Sequence, residues 1–319
     1  MGKNSKELYD KLDTTMMIAR AAIEEHGEDS FCSGWREHAA MIGVFDGCGG
    51  LGSRTYPGFR DHTGAYIAAR SVSGSVYDWF EQCGERMQGS SDGIAVQIRK
   101  SIEQGFRRLQ PYTEGCLKMR GSMVRDFPTT AAIAVIHDTK NGIQVQAVWA
   151  GDSRVYVLDE NGLAQISEDD LDVQDAFSNL SDDGELTNVI AVDGKYELHE
   201  KVIHLSKPAI IFSATDGCFG YMNSPMAFEY TILDALEKAK TPGEFKRNLG
   251  AELSAYAGDD LTLGLAAFDF GTFVNMKRVL KKRYEMMDAR YISRMQEAND
   301  YEQLEEMWQE YRKEYERYL

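Results

Sequence analysis

At four places carboxylates stand where apolar runs begin or end. Met41-Ile42-Gly43-Val44-Phe45 leads into Asp46-Gly47-Cys48-Gly49-Gly50, and Ile210-Ile211-Phe212-Ser213-Ala214-Thr215 leads into Asp216-Gly217. Gln146-Ala147-Val148-Trp149-Ala150-Gly151 runs into Asp152-Ser153-Arg154, and Asp259-Asp260 stand directly before Leu261-Thr262-Leu263. Short apolar runs bounded by Gly and Asp read as buried strands. An acidic side chain at a strand end, beside glycines that let backbone approach closely, is suited to a hard cation. Asp-Gly is also an ordinary turn signal, so one instance carries little and the recurrence carries the argument. If Asp46, Asp216 and Asp259 meet at one sheet edge, three hard oxygen ligands plus water suit Mg²⁺ or Mn²⁺ rather than zinc. Two such ions bridged by one carboxylate would activate a shared water and polarise a phosphoryl oxygen. No nucleophile on the protein is then required.

The bulk properties narrow the partners. The chain has 319 residues, 43% of them apolar and 11% aromatic, enough for a sizeable core and for one large domain with an appendage or two domains. A net charge of −16 lacks the basic footprint of a nucleic-acid binder and disfavours docking on an anionic membrane. Cys32, Cys48, Cys83, Cys116 and Cys218 are odd in number and show no C-x-x-C spacing, which argues against a zinc cage or a disulfide framework and for a reducing compartment. Neither a signal-peptide pattern nor an apolar run of membrane-spanning length is visible, so the sequence predicts a soluble, cytoplasmic protein.

The elements that must position the carboxylates follow from periodicity. Leu8, Leu12, Met16, Ala19 and Ile23 predict a helix over residues 5–25. Further helices are predicted over 62–83 and 92–109. From Pro128 the texture changes to strands, with a hairpin of 129–136 and 142–149 around Asp138-Thr139-Lys140-Asn141-Gly142, then a strand over 155–158. Residues 167–200 are polar and irregular around Ser181-Asp182-Asp183-Gly184, and a loop this long is usually functional or mobile. Strands resume at 201–205 and 209–214. Two helices open at Ser224-Pro225 and Thr241-Pro242-Gly243-Glu244, each a cap followed by proline, and a last strand covers 261–269. Grouped helices and antiparallel hairpins predict an α+β layered sandwich. Beyond Gly271, the stripes Leu280, Tyr284, Met287, Tyr291 and Leu304, Trp308, Tyr311, Tyr315, Tyr318 predict a helical hairpin, its second helix opened by a capping box at Asn299–Glu302. That stripe either packs on the domain or makes a homodimer or partner surface.

The ordered set Glu28-Asp29, Val44-Phe45-Asp46-Gly47-x-Gly49-Gly50, Thr129-Thr130-Ala131, Ala150-Gly151-Asp152-Ser153-Arg154, Ala214-Thr215-Asp216-Gly217 and Gly258-Asp259-Asp260-Leu261-Thr262 resembles the metal-dependent, type 2C protein serine/threonine phosphatases over roughly residues 15–270. The resemblance implies a four-layer αββα sandwich of two antiparallel sheets flanked by helices, formed by residues 1–270. Residues 271–319 are then an appended C-terminal helical hairpin. It further implies a signalling enzyme that hydrolyses phosphoserine and phosphothreonine on phosphoproteins, with two Mg²⁺ or Mn²⁺ ions as cofactors and the 167–200 segment as a flap. By position, Asp46 would bridge both ions and the carbonyl of Gly47 would bind one. Asp216 and Asp259 would complete the first site, and Glu28 or Asp29 would serve the second. Asp152 would serve a third, weaker ion.

Four departures from that pattern matter. Cys48 stands where the family commonly has His, and Glu24 where an Arg clamps phosphate, so Arg20, Arg36 or Arg54 would have to take over phosphate recognition. Gly220 replaces an Asp of the third site, and Asp260 replaces the usual Asn. These departures and the appended helices motivate the alternative, a weakly active or inactive phosphatase-fold module that binds or regulates a partner.

Overall fold

Strands that are apolar on both faces need cover on both faces, and this chain supplies it with a second sheet on one side and helices on the other. The structure, a computed structural model, describes residues 8–24, 26–84, 93–113, 125–172, 175–180, 184–294 and 301–319. Its strands are β1 Leu12–Arg20, β2 Ser30–Trp35, β3 Ala39–Phe45, β4 Thr55–Tyr56, β5 His62–Thr63, β6 Ala131–Thr139, β7 Gly142–Ala150, β8 Arg154–Asp159, β9 Gly162–Gln165, β10 His199–Leu205, β11 Ala209–Ala214 and β12 Leu261–Phe268. Its helices are α1 Leu8–Lys11, α2 Gly49–Gly52, α3 Gly64–Cys83, α4 Ile94–Phe106, α5 Pro225–Lys238, α6 Pro242–Tyr256, α7 Phe273–Met287 and α8 Tyr301–Tyr315.

Two five-stranded antiparallel sheets result, ordered β1-β12-β11-β8-β9 and β10-β7-β6-β3-β2. The period of two along each strand divides its side chains between layers. Ala40, Ile42 and Val44 of β3 face the other sheet, where Val155, Val157, Ile211 and Ala266 lie. Ala39, Met41 and Phe45 face α3 and α4. Phe212 and Leu263, on the opposite outer face, lie under α5 and α6 with Phe228, Leu233 and Phe245. The predicted αββα sandwich is the observed one.

The helix predicted over 5–25 is instead mostly strand β1, paired with β12 from Leu12↔Phe268 to Arg20↔Leu261. A spacing of four fits one face of a strand as well as one face of a helix. Thr14, Thr15 and Ile18 favour the strand, and Met16 and Ile18 are the buried pair. Both proline-led helices start as read. The Ser224 hydroxyl accepts from Ala227 N and the Thr241 hydroxyl from Glu244 N. The helix start read at Asp92, the cap read at Asn299, the Ser181–Asp183 centre of the flap and Cys116 lie outside the described residues.

Beyond Gly271 the apolar stripe turns inward. Leu280, Met287, Tyr291, Trp308, Tyr311 and Tyr315 are each at most 1% exposed and join the core that lies over the first sheet. Beneath them, Arg283 of α7 grips Glu229 of α5 (Nε–Oε1 2.6 Å, Nη2–Oε2 2.9 Å), and the Tyr311 hydroxyl donates to the same carboxylate. The homodimer expected through this hairpin is therefore not supported, because the side chains that would form it are buried within the chain.

Candidate metal centre

Strand register brings the acidic residues to one end of the sandwich. In the second sheet Ser30 pairs with Phe45 and Ala131 with Ala150, so Asp29, Asp46 and Asp152 leave from the same end. In the first sheet Ala214 lies between Leu263 and Arg154, so Asp216 follows one strand where Asp259 precedes the next. Two side-chain contacts join the sheets there. The Thr215 hydroxyl donates to Asp29 Oδ2 at 2.9 Å, and the Thr130 and Ser153 hydroxyls lie 2.7 Å apart.

The backbone around each carboxylate is held. The Asp46 carbonyl accepts from Thr130 N at 2.9 Å and from the Thr129 hydroxyl at 2.6 Å. Gly49 leaves room for Glu28, since a Cβ there would sit 2.3 Å from Glu28 Oε2. Asp260 clamps the loop before β2, with Oδ1 accepting from Ala22 N at 2.7 Å and Oδ2 from Glu28 N at 2.5 Å. The residue that replaces the family's usual Asn thus places Glu28 and Asp29.

The acids are close enough to repel one another. Burial, then repulsion from Asp216, Asp29, Asp152 and Asp259, holds the Asp46 carboxyl well above its ordinary range. Burial followed by Asp259 pushes Asp216 up to about 6. Burial is also the main cause that lifts Asp29 to about 7; Asp216 and Asp260 add to it, and the Thr262 and Thr215 hydroxyls oppose it. Asp152 is raised by burial and by Asp216 and Asp169, and Glu28 mainly by burial. Among the described residues no Arg, Lys or His pairs with any of these carboxylates, and the nearby Arg154 is committed to Asp169.

Buried carboxylates crowded together without a counter-ion call for a cation. Asp29 Oδ1 and Asp152 Oδ1 are buried with no hydrogen-bond partner, and every donor in the set is a hard oxygen. Among the described residues no three acidic, His or Cys side chains already surround one point. Several are turned to local donors: Asp216 Oδ1 to Gly217 N at 2.8 Å, Asp259 Oδ1 to Asp260 N at 2.7 Å, and Glu28 to the Thr63 hydroxyl. The residues fit a hard divalent cation in charge and chemistry, with these local bonds to be exchanged for it.

Two clefts open on the centre. One of about 660 Å³ runs between the flap and the 219–223 turn and is lined by Asp152, Asp216, Asp169 and Gly220. The other, about 540 Å³, is lined by Arg20, Asp29, Arg70 and Asp260. Arg20 therefore reaches the site, while Arg54 stacks on the Tyr56 ring and Arg36 pairs with Glu81 at the far end of β2. Arg70 of α3, which the sequence did not single out, donates to the carbonyls of Gly27 and Glu28. Asp170, also missed, anchors the flap by accepting from Gly151 N and Asn188 Nδ2 and pairing with His199. No sequence pattern marks either, because both act across long separations. Cys48 is buried, and its thiol is pushed well up by burial and by Asp46, Asp152 and Asp216, so it stays neutral.

No protein-family profile matches the chain, and no curated protein does. Solved structures do. The Mycobacterium tuberculosis serine/threonine phosphatase PstP/Ppp superposes with a TM-score of 0.54 at 18% identity, over 79% of this chain and 97% of that one. Serine/threonine phosphatase Stp1 from Staphylococcus aureus gives 0.54 at 16% identity, over 84% and 98%. The catalytic domain of PstP in complex with two manganese ions gives 0.51 at 17% identity, over 80% and 97%. The two-sheet sandwich is the fold of the PPM serine/threonine phosphatases. At these identities the likeness is one of fold, and what the site does has to be argued from its own residues.

Proposed function

We propose that this chain is a divalent-metal-dependent phosphatase that hydrolyses phosphoserine and phosphothreonine on proteins in the cytoplasm. The observation that carries the reading is the convergence of Asp29, Asp46, Asp152, Asp216 and Asp259 from separate strand ends into one field without a paired cation. Asp46 would be shared between two Mg²⁺ or Mn²⁺ ions, joined by Asp216 and Asp259 on one side. Glu28, Asp29 and the Gly47 carbonyl would serve the other, and Asp152 a third. Bound there, such ions supply Lewis acidity toward a phosphoryl oxygen and a water nucleophile at neutral pH. Thr129 and Thr130 fix the Asp46 backbone, Asp260 fixes the Glu28 backbone, and the flap tied down by Asp170 limits solvent access. Cys48, buried beside Asp46, replaces the His that the family commonly carries, so the proton for the leaving group would come from elsewhere than an imidazole at this position. Residues 1–270 would form the catalytic unit and 271–319 its helical extension.

Hydrolysis of p-nitrophenyl phosphate and of phosphothreonine peptides, with Mg²⁺ or Mn²⁺ and with EDTA, tests this. Turnover should require metal and disappear in Asp46→Asn and Asp216→Asn. Metal binding without turnover on any phosphopeptide would leave only the binding-module reading.

A further inference from the structure

A third cavity, of about 800 Å³, lies between the 57–63 loop, α3 and α4. Its charge runs against that of the molecule. In a chain of net charge −16, Arg60, Arg70 and Arg108 line it against the single carboxylate of Asp78. Arg60 and Arg108 are exposed, and neither pairs with an acid among the described residues. Small residues, Gly74 and Ser71 among them, make its floor, and a Cβ at Gly74 would meet nothing within 4 Å.

Two further observations link this cavity to catalysis. Tyr66 and Arg70 also line the cleft that holds Asp29 and Asp260, so the two spaces share a wall. That wall is rigid. The Tyr66 ring lies 3.7 Å from the His62 ring and 3.4 Å from the Arg70 guanidinium, distances that require opposite faces, and Arg70 is bonded to the Gly27 and Glu28 carbonyls. At the rim, Arg60 and Asp61 are consecutive non-glycine residues in the left-handed region, φ 57° and 59°. Backbone held there costs free energy, more for Arg60 than for Asp61, and such residues cluster at ligand clamps, switch regions and active sites.

We propose that this cavity receives the acidic residues flanking the phosphorylated residue of a protein substrate, and so sets sequence preference. The inference rests on the phosphatase reading for the word substrate, but the docking itself does not need turnover. A chain passing over the Tyr66–Arg70 wall would place its phosphate among the carboxylates and an acidic neighbour between Arg60 and Arg108. Arginine matches carboxylate in geometry and keeps its charge at any working pH.

The test uses the full-length protein and two labelled peptides of equal length, one with Glu and Asp around a threonine, the other with Gln and Asn. Fluorescence anisotropy with the unphosphorylated pair, in magnesium-containing buffer, measures docking with nothing to hydrolyse. The wild type should bind the acidic peptide about 5- to 10-fold tighter, the size expected for two or three exposed charge pairs, and added salt should erode the ratio. Arg60→Glu/Arg108→Glu, which makes the same backbone demands at residue 60, should bring the ratio to one or below, and Arg60→Gln/Arg108→Gln should fall between. With the phosphothreonine versions, the kcat/KM ratio should follow the same order, carried by KM. Equal binding of both peptides by the wild type overturns the proposal, as does a ratio that survives charge reversal. If the reversed variant fails to fold, the wild-type ratio and its salt dependence decide alone. Absent turnover with intact discrimination would sink the enzyme and keep the dock.

Discussion

Arg154, two residues beyond Asp152, donates a hydrogen bond from Nη1 to the Tyr315 hydroxyl of α8 at 3.3 Å. The same guanidinium holds Asp169, at the root of the flap, through Nε and Nη2. A second link runs parallel to it. Trp308 Nε1 donates to Asp175 Oδ2 at 3.1 Å, Arg312 pairs with the same oxygen at 3.1 Å, and Phe177 stacks on the Trp308 ring. The C-terminal helix thus holds the first part of the flap, at Asp169 through Arg154 and at Asp175 and Phe177 directly through Arg312 and Trp308, a contact that burial alone would not require.

If α8 holds the flap, loosening that grip should raise flap mobility without unfolding the chain. Arg312→Ala removes two partly exposed pairs, to Asp175 and Glu316, and should cost about 1 kcal/mol of stability. Amide hydrogen exchange over 175–180 should nevertheless accelerate while β6 and β11 stay protected. Trp308→Ala, which empties a fully buried site, should cost about 3–5 kcal/mol and lower the melting temperature by several degrees. Unchanged exchange at 175–180 in Arg312→Ala would show that the contact is incidental.

Asp260 is expected to act on metal affinity through position. Its two oxygens hold Ala22 N and Glu28 N, so Asp260→Ala frees the loop that carries Glu28 and Asp29. Groups that orient ligands typically contribute 10- to 100-fold in affinity, and a loss of about that size is expected in Mn²⁺ titrations monitored by electron paramagnetic resonance. Asp260→Asn keeps one acceptor oxygen and should lose less. Equal affinity in all three proteins would place Asp260 outside the metal centre.

The buried pair of Glu229 and Arg283 sets up a third outcome. Glu229 is fully buried and accepts from Arg283 and Tyr311 together. Glu229→Ala leaves the buried guanidinium with only the partly exposed Glu314 as a partner and should destabilise by up to about 3–5 kcal/mol. Glu229→Gln/Arg283→Met removes both charges and should recover most of that loss, as measured by urea denaturation. A double variant no more stable than Glu229→Ala would mean that hydrogen bonding around Tyr311, not charge, dominates the contact.

The sequence made the carboxylates legible because each follows or precedes a run that can only be buried, and an acid at the end of such a run has few reasons to be there. The sheets were legible for the same reason. β1 was not, since Leu8, Leu12 and Met16 satisfy both periodicities. The facing of Trp308, Tyr311 and Tyr315 was not either, because an apolar helical stripe looks the same whether it meets its own domain or another copy. Arg70 and the clamping role of Asp260 escaped notice because their partners, the carbonyls at 27–28 and the amides at 22 and 28, are backbone groups that any sequence carries.

Protons and divalent ions should compete at the carboxylates, and the sign of that competition is fixed by the raised carboxyls. Asp29 titrates at about 7 and Asp216 at about 6 in the folded, metal-free chain, against ordinary values of 3.8. Between those limits the folded state binds more protons than the unfolded state, so stability falls as pH rises. The contribution is fully present below about pH 4 and lost as pH passes through about 6 and then 7. With EDTA, the melting temperature should therefore drop from about pH 5 to about pH 8, and Asp216→Asn should flatten the drop. Mg²⁺ or Mn²⁺ replaces the protons, so its stabilisation should be larger at the higher pH and should release protons measurable by calorimetry in two buffers of different ionisation enthalpy. A metal-free protein that grows more stable over this range, with Asp216→Asn behaving identically, would mean that these carboxylates are already balanced by groups of the protein and need no ion.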